Sequence, residues 1–137
     1  MVNTILAIHN RERAAVGVPP LAWSDKLAAD AKTEAEYLVT VGKLTHEGCG
    51  SCNGSGNLAE GGTGISTAQL VQFWVNEKAK WHSGTILTEA NWYPTGHYTQ
   101  MIWKTTTHIG CATASGGNVY LSCHYSPPGN YMGQSPY

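Results

Sequence analysis

The residues of this chain that could do chemistry are six histidines, at positions 9, 46, 82, 97, 108 and 124, and one oddly placed carboxylate, Glu77. Imidazole suits acid–base work and metal ligation near neutral pH. No two histidines show the i, i+4 spacing by which one helix face holds a metal, and Cys49-Gly50-Ser51-Cys52 has no second Cys-x-x-Cys at zinc-finger distance. That motif reads either as a redox pair or as a local disulfide. Redox pairs sit at a strand-to-helix junction, whereas these flanks are glycine-rich, which favours the disulfide. Asn53 follows where covalent haem attachment needs a His. The chain carries no Gly-x-Ser-x-Gly elbow, phosphate-binding loop or dinucleotide fingerprint, so serine and cysteine nucleophiles have no motif behind them. Glu77 stands out by position. Leu70, Trp74, Glu77 and Trp81 share one helical face, so a carboxylate interrupts an apolar stripe. Either it lies at the stripe's edge and reaches solvent, or it is buried for a purpose.

The elements that must position these groups can be read from capping and periodicity. Ile5, Leu6, Ile8 and Val16 predict a first helix over 4–16, closed by Gly17 and Pro19-Pro20. Ser24 as N-cap, Asp25 in the first turn and Gly42 as C′ bracket a second helix, with Leu27, Ala31, Ala35 and Leu38 on one face. Residues 42–64 hold eight of the sixteen glycines and read as loop. Ser66 and Gln69 form a capping box that opens the third helix. After it, Ile86 to Pro94 reads as a loop and His97 to Trp103 as a strand. Strands 108–114 and 119–125 flank the hairpin signal Ser115-Gly116-Gly117-Asn118. Cys111 and Cys123 are equidistant from Gly117 and would face each other, and a bond there would contribute about 3 kcal/mol.

Composition bounds the classes. The chain has 137 residues, the size of one domain, and 42% of them are apolar while only 12% are charged, which excludes intrinsic disorder. The net charge of −1 offers no basic excess for phosphates, so no nucleic-acid partner is expected. No apolar run approaches the roughly 20 residues of a membrane span. Four cysteines and the sequon Asn53-Gly54-Ser55 fit an oxidising, secreted setting. The chain opens Met-Val-Asn-Thr without a charged-then-apolar leader, so a mature domain is expected.

Four segments carry a resemblance. Gly96-His97-Tyr98-Thr99-Gln100-Met101-Ile102-Trp103 and the stretch from Tyr120 to Tyr131 resemble the two long signatures of the CAP superfamily, also called SCP/TAPS. His9-Asn10-Arg11-Glu12-Arg13 is similar to its His-Asn-x-x-Arg, and Gly56-Asn57-Leu58-Ala59 to part of its Gly-Glu-Asn-Leu-Ala. The best-known members are the pathogenesis-related protein 1 group of plants and fungi. The resemblance implies a single α+β domain over 1–137, a three-layer α-β-α sandwich with a central antiparallel sheet, secreted to the extracellular space as a monomer. It also implies pairing of Cys111 with Cys123 and, by elimination, of Cys49 with Cys52.

The resemblance further implies a cavity of two histidines and two glutamates. His46 and His97 match the histidines and Glu77 one carboxylate, whereas Gly56 occupies the place of the other, with Glu47 and Glu60 nearby. Two imidazoles and water make an open site for a divalent metal such as zinc. With one carboxylate gone, weak metal binding at His46 and His97 is expected, and no cofactor is required.

Members are known to bind sterols and fatty acids rather than to turn over a substrate, so no enzymatic activity is expected. The sterol region would be the aromatic segment 86–95, carrying Ile86, Leu87, Trp92, Tyr93 and Pro94. Flat rings stack on a sterol skeleton, although Trp92 and Tyr93 could instead plug the sheet edge. Fatty acids would lie between the first and third helices. The alternatives are a precursor whose C-terminal peptide, 127–137, is released after Ser126, and a metal-dependent hydrolase. The biological setting would be plant–pathogen interaction, as defence or as virulence.

Overall fold

The computed structural model describes residues 1–45 and 56–137. His46, Glu47, Cys49, Cys52 and Asn53 lie outside the described residues, and with them the expected Cys49–Cys52 bond.

Helix α1 spans Val2–Ala15 and turns out at Gly17, φ 78°. Strand β1, Ala22–Trp23, leads into Ser24, whose Oγ accepts from the Leu27 N–H at 3.2 Å and caps helix α2, Asp25–Val41. Gly42 ends α2 in the left-handed region, φ 79°, and its N–H reaches the Leu38 carbonyl at 2.8 Å, as a glycine C-cap should. Strand β2 is Gly56–Gly61. Helix α3, Thr67–Val75, starts with the reciprocal Ser66–Gln69 box and tightens into a 3₁₀ turn, Asn76–Lys80, which carries Glu77. Helix α4 spans Glu89–Met101, followed by β3, His108–Gly116, and β4, Asn118–Ser126.

Two expectations fail. The stretch expected as a loop (86–94) and then a strand (97–103) is mostly one helix, opened by a second capping box in which Thr88 and Asn91 bond each other's backbones. Pro94 lies inside it and has no N–H to give. From Thr95 to Met101 every residue except His97 is buried, so α4 shows no amphipathic stripe, and periodicity could not reveal it. The local β-propensity of its Thr and aromatic residues yields to this burial. Likewise residues 56–61, expected within a loop, form β2. Its Gly-Asn-Leu-Ala-Glu-Gly sequence has little strand preference, and pairing with β4 from Gly56↔His124 to Gly61↔Val119 supplies the order.

The sheet order is β1-β3-β4-β2. The three longer strands are antiparallel, and the short β1 joins the edge in parallel, so the sheet is mixed. The β3–β4 hairpin closes on Gly117, φ 78°, and its register sets Cys111 opposite Cys123, joined by a disulfide. Strand alternation divides the residues between two faces. Toward α2 point Leu58 and Tyr120, packed with Leu38. On the other face Cys111, Leu121, Cys123 and Tyr125 meet Ile5, Leu70, Trp74, Met101 and Trp103 from α1, α3, α4 and the stretch after it. That is the three-layer α-β-α sandwich. At Gly110 the α2 layer comes so close that a Cβ would strike the backbone of Ser24, Leu27 and Ala28.

Candidate functional site

The candidate site forms where the 3₁₀ turn meets α4. Helix α3 loses its α-helical register at Asn76, which swings Glu77 toward α4. Glu77 Oε2 accepts from His97 Nδ1 at 2.7 Å, and Oε1 accepts from the Tyr98 backbone N–H at 3.0 Å. The carboxylate is therefore neither loose at the stripe's edge nor buried without partners. His97 also stacks on Trp74, with ring centroids 6.0 Å apart and planes 16° from parallel. With Nδ1–H given to Glu77, the free lone pair of a neutral ring is at Nε2, the tautomer that a carboxylate partner fixes.

A second set of buried polar groups holds this site from behind. His9 in α1 places Nδ1 at 2.9 Å from the Ile5 carbonyl and Nε2 at 2.7 Å from the Tyr125 hydroxyl. A carbonyl only accepts, so Nδ1 carries the proton and the tyrosine donates to Nε2. Burial lowers the His9 pKa from 6.5 to about 4 and pushes the Tyr125 hydroxyl well up, so both are neutral. Asn57 Nδ2 donates to the Tyr125 hydroxyl at 3.2 Å and to the His97 carbonyl at 3.0 Å, linking β4, β2 and α4.

Of the expected cavity residues, the structure brings Glu77 and His97 together, while His46 lies outside the described residues. Gly56 begins β2 opposite His124 and offers no side chain. Glu60 bonds Asn118 at the far end of the hairpin and does not replace the missing carboxylate. Among the described residues no group of three or more His, Cys, Asp or Glu could hold a metal. Of the two expected ligands the described residues supply only His97, and they do not by themselves make a metal centre.

The expected sterol residues separate. Ile86 is 49% exposed, Trp92 46% and Tyr93 85%, whereas Leu87 is fully buried in the core and offers no contact surface. Pro94 is half-buried. Trp92 lies over Gly96, whose missing Cβ leaves room for the indole. Between α1 and the end of α3 with its 3₁₀ turn lies a cleft of about 450 Å³, where fatty acids were expected. It is lined by Arg11, Glu12, Gln72, Asn76 and Lys78 together with Val75 and Ala79. Burial raises the Glu12 pKa, but Lys78 and Arg11, each at 2.9 Å, more than offset this and hold it below the usual carboxylate range.

Three features escaped sequence reasoning. The buried Arg13 guanidinium donates to the carbonyls of Pro19, Met101, Trp103 and Thr106, tying α1 to the end of α4. The i, i+4 spacing of His9 and Arg13, which puts both on the inner face of α1, was the available signal. On the α2 face, buried Glu34 Oε1 accepts from Ser122 Oγ at 2.6 Å and His124 Nε2 at 3.0 Å. Strand alternation at Ser122 and His124 signalled a shared face but not the partner. The third is the set of contacts that Asn130 makes with α4.

Comparison with known proteins supplies the remaining facts. Residues 6–125 match the Cysteine-rich secretory protein family, CAP. Pathogenesis-related protein 1A of Nicotiana tabacum is 41% identical over 135 residues, 96% of this chain and 78% of that protein. Pathogenesis-related protein 1 of Arabidopsis thaliana is 39% identical over 132 residues, 94% of this chain and 78% of that one. The crystal structure of NaASP2 with Zn2+ superposes with a TM-score of 0.83 at 25% identity, covering 98% of this chain and 83% of that chain. Na-ASP-1 gives the same TM-score at 26% identity, and there this chain spans 40% of the other's length.

Proposed function

Because the chain belongs to the CAP, or cysteine-rich secretory protein, family, we propose that it is a secreted, pathogenesis-related lipid-binding protein that captures sterols on the aromatic segment 86–95. One observation carries the reading: Trp92 and Tyr93 project outward from a firmly capped helix start, with Ile86 exposed just before it. Apolar rings held at the surface by a rigid backbone lose little entropy when a flat hydrocarbon stacks on them. Buried Leu87 anchors the segment. Capture of this kind needs no bond-making step, and the protein acts by sequestering lipid in plant–pathogen interaction rather than by turnover. Fatty acids, in the cleft beside Glu12, are the second ligand class. Equilibrium binding of a labelled sterol to the protein and to the Trp92→Ala/Tyr93→Ala double variant tests this. Saturable binding lost in the variant supports it; absence of binding in the unaltered protein overturns it.

A divalent metal is a second reading, favoured by the Glu77–His97 pair, since a carboxylate on one ring nitrogen is what orients a metal-ligating histidine. His97 and His46 would be the ligands, and Gly56 in place of a carboxylate makes the binding weak. Zinc titration by calorimetry should give weak binding that disappears in His97→Ala; tight binding that survives the change overturns it.

A further inference from the structure

The C-terminal tail after β4 is bonded to the second half of α4 and to the chain on both sides of that helix. Before the helix, the Gly133 N–H donates to the Leu87 carbonyl at 2.7 Å and the Leu87 N–H to the Gln134 carbonyl at 2.9 Å. Beyond the helix, the Lys104 N–H donates to the carbonyl of buried Pro136 at 2.7 Å. On the last turn of the helix, the Gly129 N–H donates to Gln100 Oε1 at 3.0 Å, and Gly129 lies so close to the Trp103 ring that a side chain would collide. Asn130 supplies the central contact. Its Oδ1 accepts from Thr99 Oγ1 at 2.6 Å, and its Nδ2 donates to the Gly96 carbonyl at 2.8 Å. It does so from φ 60°, a backbone region that costs a residue with a Cβ and is tolerated best by Asn. Gly96 is the residue under the Trp92 indole, and the next carbonyl, that of His97, is held by Asn57 of β2.

We propose that the tail, residues 129–137, is the positioning element of segment 86–97, with Asn130 as its pivot, so that the exposed aromatic residues and the Glu77–His97 pair are both set by the C-terminus. Its consequence for ligand capture rests on the sterol reading above; the positioning itself does not. Release of 127–137 as a peptide would break the contacts at Leu87, Gly96, Thr99, Gln100 and Lys104 together, so a chain that had lost the tail would no longer present the site.

The test is amide hydrogen exchange on the full chain without ligand, comparing the unaltered protein with Asn130→Gly and Asn130→Asp. Glycine keeps the left-handed backbone and removes both side-chain bonds, whereas aspartate keeps the acceptor for Thr99 and loses the donor to Gly96. Exchange at Leu87, Trp92 and Tyr98 should rise tenfold or more in Asn130→Gly and less in Asn130→Asp, with Leu121 and Cys123 in β4 changed by under twofold. Exchange that is unchanged in α4, or that rises equally in α4 and β4, overturns the proposal. Should Asn130→Gly fail to fold, the Asn130→Asp comparison decides alone. Labelled-sterol binding forms the second arm, with at least a fivefold loss of affinity expected in Asn130→Gly. If the unaltered protein binds no sterol, the sterol reading fails while exchange still decides the positioning. Equal affinities alongside altered exchange would overturn the link between tail and capture.

Discussion

The carboxylate of Glu77 joins His97 across twenty positions of sequence, holding the imidazole Nδ1 with one oxygen and the Tyr98 backbone N–H with the other. One side chain thereby fixes both the tautomer of a histidine and the docking of the helix that carries it. Glu77→Gln should keep one contact and lose the charge-assisted one, lowering unfolding free energy by about 1–2 kcal/mol, with Glu77→Ala costing more. Urea denaturation of the two variants checks the order.

His9 makes stability depend on pH. Its pKa falls from 6.5 to about 4 on folding, so the unfolded chain takes up the proton first. The contribution is complete above about pH 6.5 and is lost as pH drops toward about 4, a loss of roughly 3 kcal/mol at about 1.4 kcal/mol per pH unit. Denaturant titrations across this window should show the decline, and His9→Gln should flatten it.

Arg13 satisfies four backbone carbonyls with one guanidinium. Burial lowers its pKa to about 10, which leaves it charged at neutral pH. Arg13→Lys keeps the charge but has a single ammonium in place of the planar fork. A loss of about 3 kcal/mol or more is expected, by thermal or chemical unfolding, and a near-neutral substitution would contradict the clamp.

Gly110 is where helix α2 lies directly on the sheet, and a Cβ there meets main-chain atoms that cannot move independently. Gly110→Ala should therefore destabilise by about 2–3 kcal/mol or more. Gly62→Ala, at a position with open space around it, provides the comparison and should leave the midpoint almost unchanged.

The Cys111–Cys123 bond closes a short loop across the hairpin. A Cys111→Ala/Cys123→Ala variant should lose about 3 kcal/mol.

Elements with strong local punctuation were legible. Ser24, Gly42, Ser66 and Gln69 marked the ends of α2 and the start of α3, and Gly117 marked the hairpin that sets Cys111 opposite Cys123. Each of these signals acts over a few residues through a backbone bond or a required φ. Helix α4 was not legible, although Thr88 and Asn91 cap it in the same manner as Ser66 and Gln69 cap α3. Pro94 and Gly96 argue locally against a helix, and burial on nearly every side removes the stripe that would have outweighed them. Strand β2 was hidden for a related reason, since its partner β4 begins 57 residues after the end of β2, with Gly61 at one end and Asn118 at the other.

The sequence by itself determined the helix caps, the hairpin register, the oddity of Glu77 and the set of signatures from His9 to Tyr131. Only the tertiary structure decided what those residues do to one another: that Glu77 meets His97, that Leu87 is core while Trp92 and Tyr93 face outward, and that the last nine residues bond to the second half of α4 and to the chain on both sides of it. The physical reason is range. Caps and turns are satisfied by neighbours in the chain, so residue type and spacing specify them. A buried carboxylate, a guanidinium or an asparagine at positive φ is satisfied by groups far away in sequence, and its partner exists only once the layers have packed.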